Sequence, residues 1–188
     1  KCLIAVILLA ICIQGAYVAA EPSRRAIEAV REVTTDPNEE TVSDFINAMI
    51  WEYRKANWKK EYDDAADYLR AALYFLSQKP NTRKYESTLS KLNKVLMKQN
   101  ADTSAETRLE IAKNLFLEGK YFASGYEFSN LLKEEYEVDL CYEYMGDIAR
   151  KMNADDAAFA YYKQSLELNP DNLNAKYKYA NLLLKQGK

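Results

Sequence analysis

Apolar side chains recur at helical spacing along most of this chain, and short polar stretches separate the runs. Ser23 to Val33 predicts a short amphipathic helix with Ala26, Ile27, Val30 and Val33 on one side, stopped by Thr34-Thr35-Asp36-Pro37-Asn38. Asp36-Pro37-Asn38-Glu39 then predicts a helix start, with Asp36 as carboxylate cap, Pro37 in the first turn and Glu39 three residues on. The helix that follows places Phe45, Ile46, Met49, Ile50, Tyr53 and Ala56 on one face. Beyond Trp58-Lys59-Lys60-Glu61, a second carries Tyr62, Ala65, Ala66, Leu69, Ala72, Leu73 and Leu76 inward and stops at Lys79-Pro80-Asn81. A third turns Tyr85, Leu89, Leu92, Val95 and Leu96 inward, and its other face carries Lys84, Lys91, Lys94 and Lys98. That lysine stripe fits a solvated helix face. Contact with an anionic lipid or glycan surface is the competing use, and no aromatic lies between Lys91 and Lys98 to stack bases.

After the break at Asn100-Ala101-Asp102, with Thr103 and Glu106 spaced as a capping box, the pattern acquires a period of 34 residues. Ala112, Gly146 and Ala180 fall on it, as do Leu115, Ala149 and Leu183, and Gly119, Asn153 and Gly187. Ser124 pairs with Ala158, Phe128 with Tyr162 and Leu132 with Leu166. The predicted helices are 104–118, 121–135, 139–152, 155–168 and 171–186. Small residues at Ala112, Gly146 and Ala180, and at Ser124 and Ala158, mark places where paired helices cross closely. Phe128 and Tyr162 are large enough to fill the gap toward the next unit. Gly119, Asn153 and Gly187 suit a left-handed helix end. Asn169-Pro170-Asp171 closes one unit and opens another, with Asp171 as cap.

These residues resemble the tetratricopeptide repeat family, a helix-turn-helix unit of 34 residues. The resemblance runs from Leu109-Glu110-Ile111-Ala112 through Gly119-Lys120-Tyr121 to Phe128. It resumes from Tyr142 through Gly146, Ala158 and Tyr162 to Leu168-Asn169-Pro170, and again from Leu173 through Tyr179-Ala180 to Lys188. It covers about 105–188, less than half of the chain. The family's large aromatic near each unit's start is matched by Tyr142 but not by Arg108 or Lys176, and Tyr136 stands where Pro170 stands one unit later. The resemblance implies an all-α fold of helix-turn-helix repeats stacked as an α-solenoid, with a divergent helical N-terminal part. It also implies a concave groove lined by first helices. By position that groove would show Glu106, Leu109, Lys113 and Phe116, then Leu140, Glu143, Asp147 and Arg150, then Asn174, Tyr177 and Asn181. Some family members clamp a terminal carboxylate with Lys and Asn on these helices. Lys113 and Asn181 fit that loosely, but Glu143 and Asp147 would repel a carboxylate, so no such clamp is expected. The expected partner residues are Leu109, Lys113, Phe116, Glu143, Asp147, Arg150, Tyr177 and Asn181, facing a peptide or a protein surface.

Upstream of all this, Cys2 to Ile13 is apolar without a break after a single Lys1, and small residues lead to Ala20 before Glu21-Pro22. That pattern matches a secretory signal cleaved after Ala20. An uncleaved anchor is the competing reading, which Gln14 and Gly15 make a poor span. In a lipoprotein signal Cys12 would be acylated, but Ile11 before it is too large. Each reading exports the protein to a periplasmic or other extracytoplasmic site, with membrane association through residues 1–20 if the leader is retained.

Composition narrows the chemistry. Acidic and basic residues number 28 and 26, so no global field draws in nucleic acid or an anionic membrane. The absence of His removes the commonest general base and metal ligand, and with it any Ser-His or Cys-His pair within the chain. Of three Cys, two lie in the leader, and Cys141 reads as a buried structural thiol. Asp63-Asp64 and Asp155-Asp156 fall in first turns, where carboxylates meet the positive end of the helix dipole. No catalytic residue, cofactor or metal is therefore expected. The domain expectation is a leader at 1–20, a short helix and linker at 21–38, divergent helical repeats or a cap at 39–100, and the repeat region at 101–188. Gln186-Gly187-Lys188 reads like a turn into a further helix. The function expected is an exported interaction scaffold or assembly factor in a cell envelope. The alternative is a regulatory or targeting segment of a larger enzyme extending past residue 188.

Overall fold

The computed structural model describes residues 22–80 and 82–185, so the leader and the Gly187 turn lie outside the described residues. Among those described, the chain is all-α, with nine helices and no strand. They are α1 (Arg24–Thr35), α2 (Glu39–Lys59), α3 (Tyr62–Leu76), α4 (Arg83–Gln99), α5 (Ala105–Leu117), α6 (Tyr121–Lys133), α7 (Val138–Lys151), α8 (Asp155–Leu168) and α9 (Leu173–Lys185). Helices that neighbour in sequence pack in pairs, in the manner of a helical repeat. The chain divides into two compact units, Lys1–Tyr126 and Glu127–Lys188, with the division inside α6.

Within the first unit, Ala56 of α2, Leu69 and Leu73 of α3, Leu92 and Val95 of α4 and Tyr126 of α6 share one buried cluster. Each fully buried Leu here is worth about 1.5–3 kcal/mol relative to exposure. Phe45, Tyr74, Phe75 and Phe122 add an aromatic cluster of edge-on and tilted rings, with the Phe45 and Phe122 ring centroids 4.9 Å apart. Gly125 allows α6 to approach α3, since a Cβ there would lie 2.7 Å from the Tyr74 ring. The Ser124 hydroxyl donates to the Ala112 carbonyl at 2.8 Å, which ties α6 to α5 where small residues were expected to meet.

The second unit is built around Ala149, Ala158, Tyr162 and Leu182, from α7, α8 and α9, with Phe159 stacked on Tyr179 at 4.6 Å. Phe128 stacks on Tyr144 of α7, bridging toward the next helix pair as expected. Tyr162 instead turns first onto its own pair: a Cβ at Gly146 would lie 2.4 Å from its ring. Ala112 is fully buried and Gly146 buried, whereas Ala180 on the same period is exposed, because no described helix lies on that side of α9.

Three helix starts lie one or two residues beyond the expected caps. At α2 the cap is Asn38, not Asp36. The Asn38 side chain accepts from the Glu40 and Thr41 amides while Thr41 Oγ1 accepts from the Asn38 amide. Asp36 is occupied closing α1, and its carbonyl accepts from the Thr41 hydroxyl. At α5, Ser104 caps instead of Thr103, held by the Asp102 carboxylate. At α9, Asn172 accepts from the Ala175 amide, so Asp171 is not the cap. The left-handed ends at Gly119 (φ 78) and Asn153 (φ 60) are as expected, and Lys60 and Asn100 end α2 and α4 the same way.

Candidate functional site

In the second unit, the first-helix surface of α7 carries a buried polar network. Glu143 and Asp147 sit one turn apart on α7, exposed by only 4% and 7%. The Lys178 ammonium, from α9, lies 2.6 Å from Glu143 Oε1 and 2.5 Å from Asp147 Oδ2. The Tyr162 hydroxyl, from α8, donates to Asp147 Oδ1 at 2.7 Å, and the Asn172 amide donates to Glu143 Oε2 at 2.8 Å. All four carboxylate oxygens therefore have donors, which offsets the cost of burying two negative charges. Burial alone would push the Lys178 ammonium down, but bonds to Asp147 and Glu143 outweigh it and hold its pKa above the ordinary lysine range. Burial, then the bond to Asp147, raises the Tyr162 phenol well above its usual value.

Beside this network lies an open cleft of about 500 Å³. It is lined by Arg150 and Lys151 at the end of α7, Asp155 at the start of α8, and Lys178, Asn181, Leu182 and Lys185 on α9. Lys185 is paired with Asp155 at 2.5 Å. Arg150 and Lys151 are exposed and have no ion pair among the described residues.

The outer face of α9 is different in kind. Leu173, Tyr177 and Leu184 are 76%, 71% and 74% exposed, and with Ala180 they follow a spacing of four, three and four. That is one continuous helical stripe. The equivalent α7 positions are Asp139, Glu143, Gly146 and Arg150. There Asn169 bonds Asp139, Asn172 and Lys178 bond Glu143, and the Tyr162 ring covers Gly146.

The expected partner residues thus fall into distinct settings. Leu109, Lys113 and Phe116 lie on α5 in the first unit: Leu109 is buried, Lys113 is paired with Glu110, and Phe116 packs on Tyr121. Glu143 and Asp147 are buried and engaged by Lys178. Arg150 and Asn181 meet at the cleft, and Tyr177 projects from the α9 stripe. Lys178, Tyr162 and Asn172 were missed as polar partners. One signal was present: Lys178 follows Glu143 and Asp147 by 35 and 31 residues, bracketing the 34-residue period that lays α9 beside α7. Cys141 is fully buried, its thiol 3.4 Å from the Tyr136 carbonyl oxygen. Among the described residues no group of three or more acidic or Cys side chains could hold a metal ion, and no helix is long and apolar enough to cross a membrane. Neither a protein-family model nor a curated protein sequence matches this chain.

Proposed function

We propose that this protein is an exported helical-repeat scaffold or assembly factor of the tetratricopeptide kind, which binds a partner protein along its first-helix surfaces and carries out no catalytic step. The observation that carries the reading is the α9 stripe of Leu173, Tyr177, Ala180 and Leu184, exposed among the described residues where Asp139, Glu143 and Gly146 on α7 are bonded or covered, a face that takes either a partner's helix or a further helix of this chain. An apolar stripe of this spacing accepts an amphipathic helix, and Tyr177 offers the large, partly polar side chain that anchors such contacts. Arg150 and Asn181 at the adjoining cleft supply polar contacts at the rim. The apolar run Cys2–Ile13 followed by small residues to Ala20 supports an extracytoplasmic setting.

The repeat itself suggests the probe. The helices that cover first helices carry a small residue, then an aromatic four residues on, then Leu after four more: Ser124-Phe128-Leu132 and Ala158-Tyr162-Leu166. A soluble helical peptide with that pattern, titrated into the isotope-labelled protein, is expected to shift the amides of Tyr177, Ala180 and Leu184. Binding should be weak, because a short peptide must first form its helix. It should vanish in Leu184→Asp. Shifts scattered over both units, or equal shifts with a scrambled peptide, would defeat the reading.

A further inference from the structure

A second surface, in the first unit, points to a different kind of partner. On α2, Asn47, Trp51, Arg54 and Trp58 follow a spacing of four, three and four and form one stripe. Trp58 is 82% exposed and Trp51 is 56% exposed, unusual for side chains of this size. Seven residues of helix separate the two indoles by about 10 Å along the axis. Helix α4 lies alongside: the Lys84 ammonium donates to Asn47 Oδ1 at 2.9 Å and the Lys98 ammonium to Asn57 Oδ1 at 3.1 Å. The α4 lysine stripe therefore borders the tryptophan stripe. Arg54 of the tryptophan stripe and Lys91 and Lys94 of the lysine stripe have no carboxylate partner among the described residues. Lys91 donates only to the Ser87 carbonyl and hydroxyl. Burial, then Arg54 and Lys94, lowers the Lys91 pKa, so these charges repel one another.

We infer that the α2–α4 face of the first unit docks onto an anionic lipid bilayer, with Trp51 and Trp58 seated at headgroup level and Arg54, Lys91, Lys94 and Lys98 against the lipid phosphates. Charge complementarity names the surface. Self-repelling cations without carboxylate partners are relieved by a sheet of negative charge. Indoles with an apolar body and a polar N–H belong at the membrane interface. Two indoles standing out from one helix face suit a soft planar interface. A single-stranded nucleic acid would instead call for a basic groove tracking its backbone. The chain's net charge of −2 supplies no long-range attraction, so binding is local to this face.

The test uses the full chain, because its only two tryptophans are Trp51 and Trp58, so intrinsic fluorescence reports on this face alone. Vesicles of phosphatidylcholine with 30 mol% phosphatidylserine are expected to shift the emission to the blue, and brominated lipids to quench it. Pure phosphatidylcholine vesicles should do neither, even where the apolar leader carries the protein to them. Arg54→Gln with Lys94→Gln, both exposed and far from the core, should weaken binding about five-fold per charge removed, and 0.5 M salt should abolish it. Vesicle binding with unchanged tryptophan emission would overturn the inference. So would binding unaffected by the two substitutions in a variant with wild-type circular dichroism, or a larger emission shift with oligouridine than with vesicles.

Discussion

Gly146→Ala gives the sharpest test of how the helices pair. An alanine Cβ at this position would lie 2.4 Å from Tyr162 Cε1 and 2.6 Å from Cδ1. Carbon atoms at optimal separation are about 3.5–4.0 Å apart, so the ring would have to retreat by about 1 Å. Tyr162 cannot retreat freely, since it is fully buried and its hydroxyl donates to Asp147, whose other oxygen holds Lys178. Overpacking of this kind costs about 2 kcal/mol. Disturbing a hydrogen bond to a charged group costs about 2 kcal/mol more. Replacing Gly by Ala inside a helix returns about 1 kcal/mol. The expected net loss is about 3 kcal/mol, read as a fall in urea midpoint with an unchanged slope. Adding Tyr162→Ala should cost much less in the Gly146→Ala background than in the wild type, because the ring is then already displaced. A neutral or stabilised Gly146→Ala protein would mean that propensity alone governs the site and that the close crossing does not exist.

The other predictions follow from the same geometry. Ala180→Leu, on the same 34-residue period, should leave the urea midpoint unchanged, because Ala180 is exposed. Lys178→Met should destabilise the fold by about 3 kcal/mol, since it leaves Glu143 and Asp147 buried without their cation. The pH dependence has a definite sign. The raised Lys178 and Tyr162 pKa values mean that their contributions are complete below about pH 10 and decline as pH rises through the folded-state values. The wild type should therefore lose stability above pH 10 on thermal melts, and Lys178→Met should show a shallower decline. Asn153→Val should cost about 1 kcal/mol by chemical denaturation while Asn153→Gly costs nothing, because Asn153 holds a φ of 60°.

The sequence pattern carried a good deal of this. The all-α fold and the meeting of small residues at Ala112 and Gly146 follow from spacing, because a repeated helix pair must solve the same packing problem each time. The left-handed ends at Gly119 and Asn153 follow from backbone sterics. The caps were less legible. Asp36 and Asn38, Thr103 and Ser104, Asp171 and Asn172 are neighbouring residues able to cap, and only three-dimensional competition decides among them. Asp36 closes the preceding helix, which leaves the start of α2 to Asn38. The buried charges were the hardest to see. Glu143 and Asp147 are expected from the sequence to face a partner, and nothing in the helical pattern marks Glu52 or Arg70 for burial, yet each of the four is buried. Their partners come from nearby turns or distant helices, such as the Ser23 amide on Glu52 and Lys178 on Glu143 and Asp147. Trp51 and Trp58 show the converse: both are large and apolar in body, yet their stripe lies away from the side of α2 that buries Phe45, Met49 and Ala56.

The central functional claim is that the α9 stripe receives a partner protein outside the cytoplasm. Its most direct measurement is photocrosslinking in cells expressing the full chain, with a photoreactive phenylalanine at Tyr177 or, as control, at Lys163 on the exposed side of α8. A discrete protein adduct from position 177, absent from position 163, abolished by Leu184→Asp and recovered from the extracytoplasmic fraction, is the expected result. Equal labelling at both positions, or an adduct that survives Leu184→Asp, would contradict the claim.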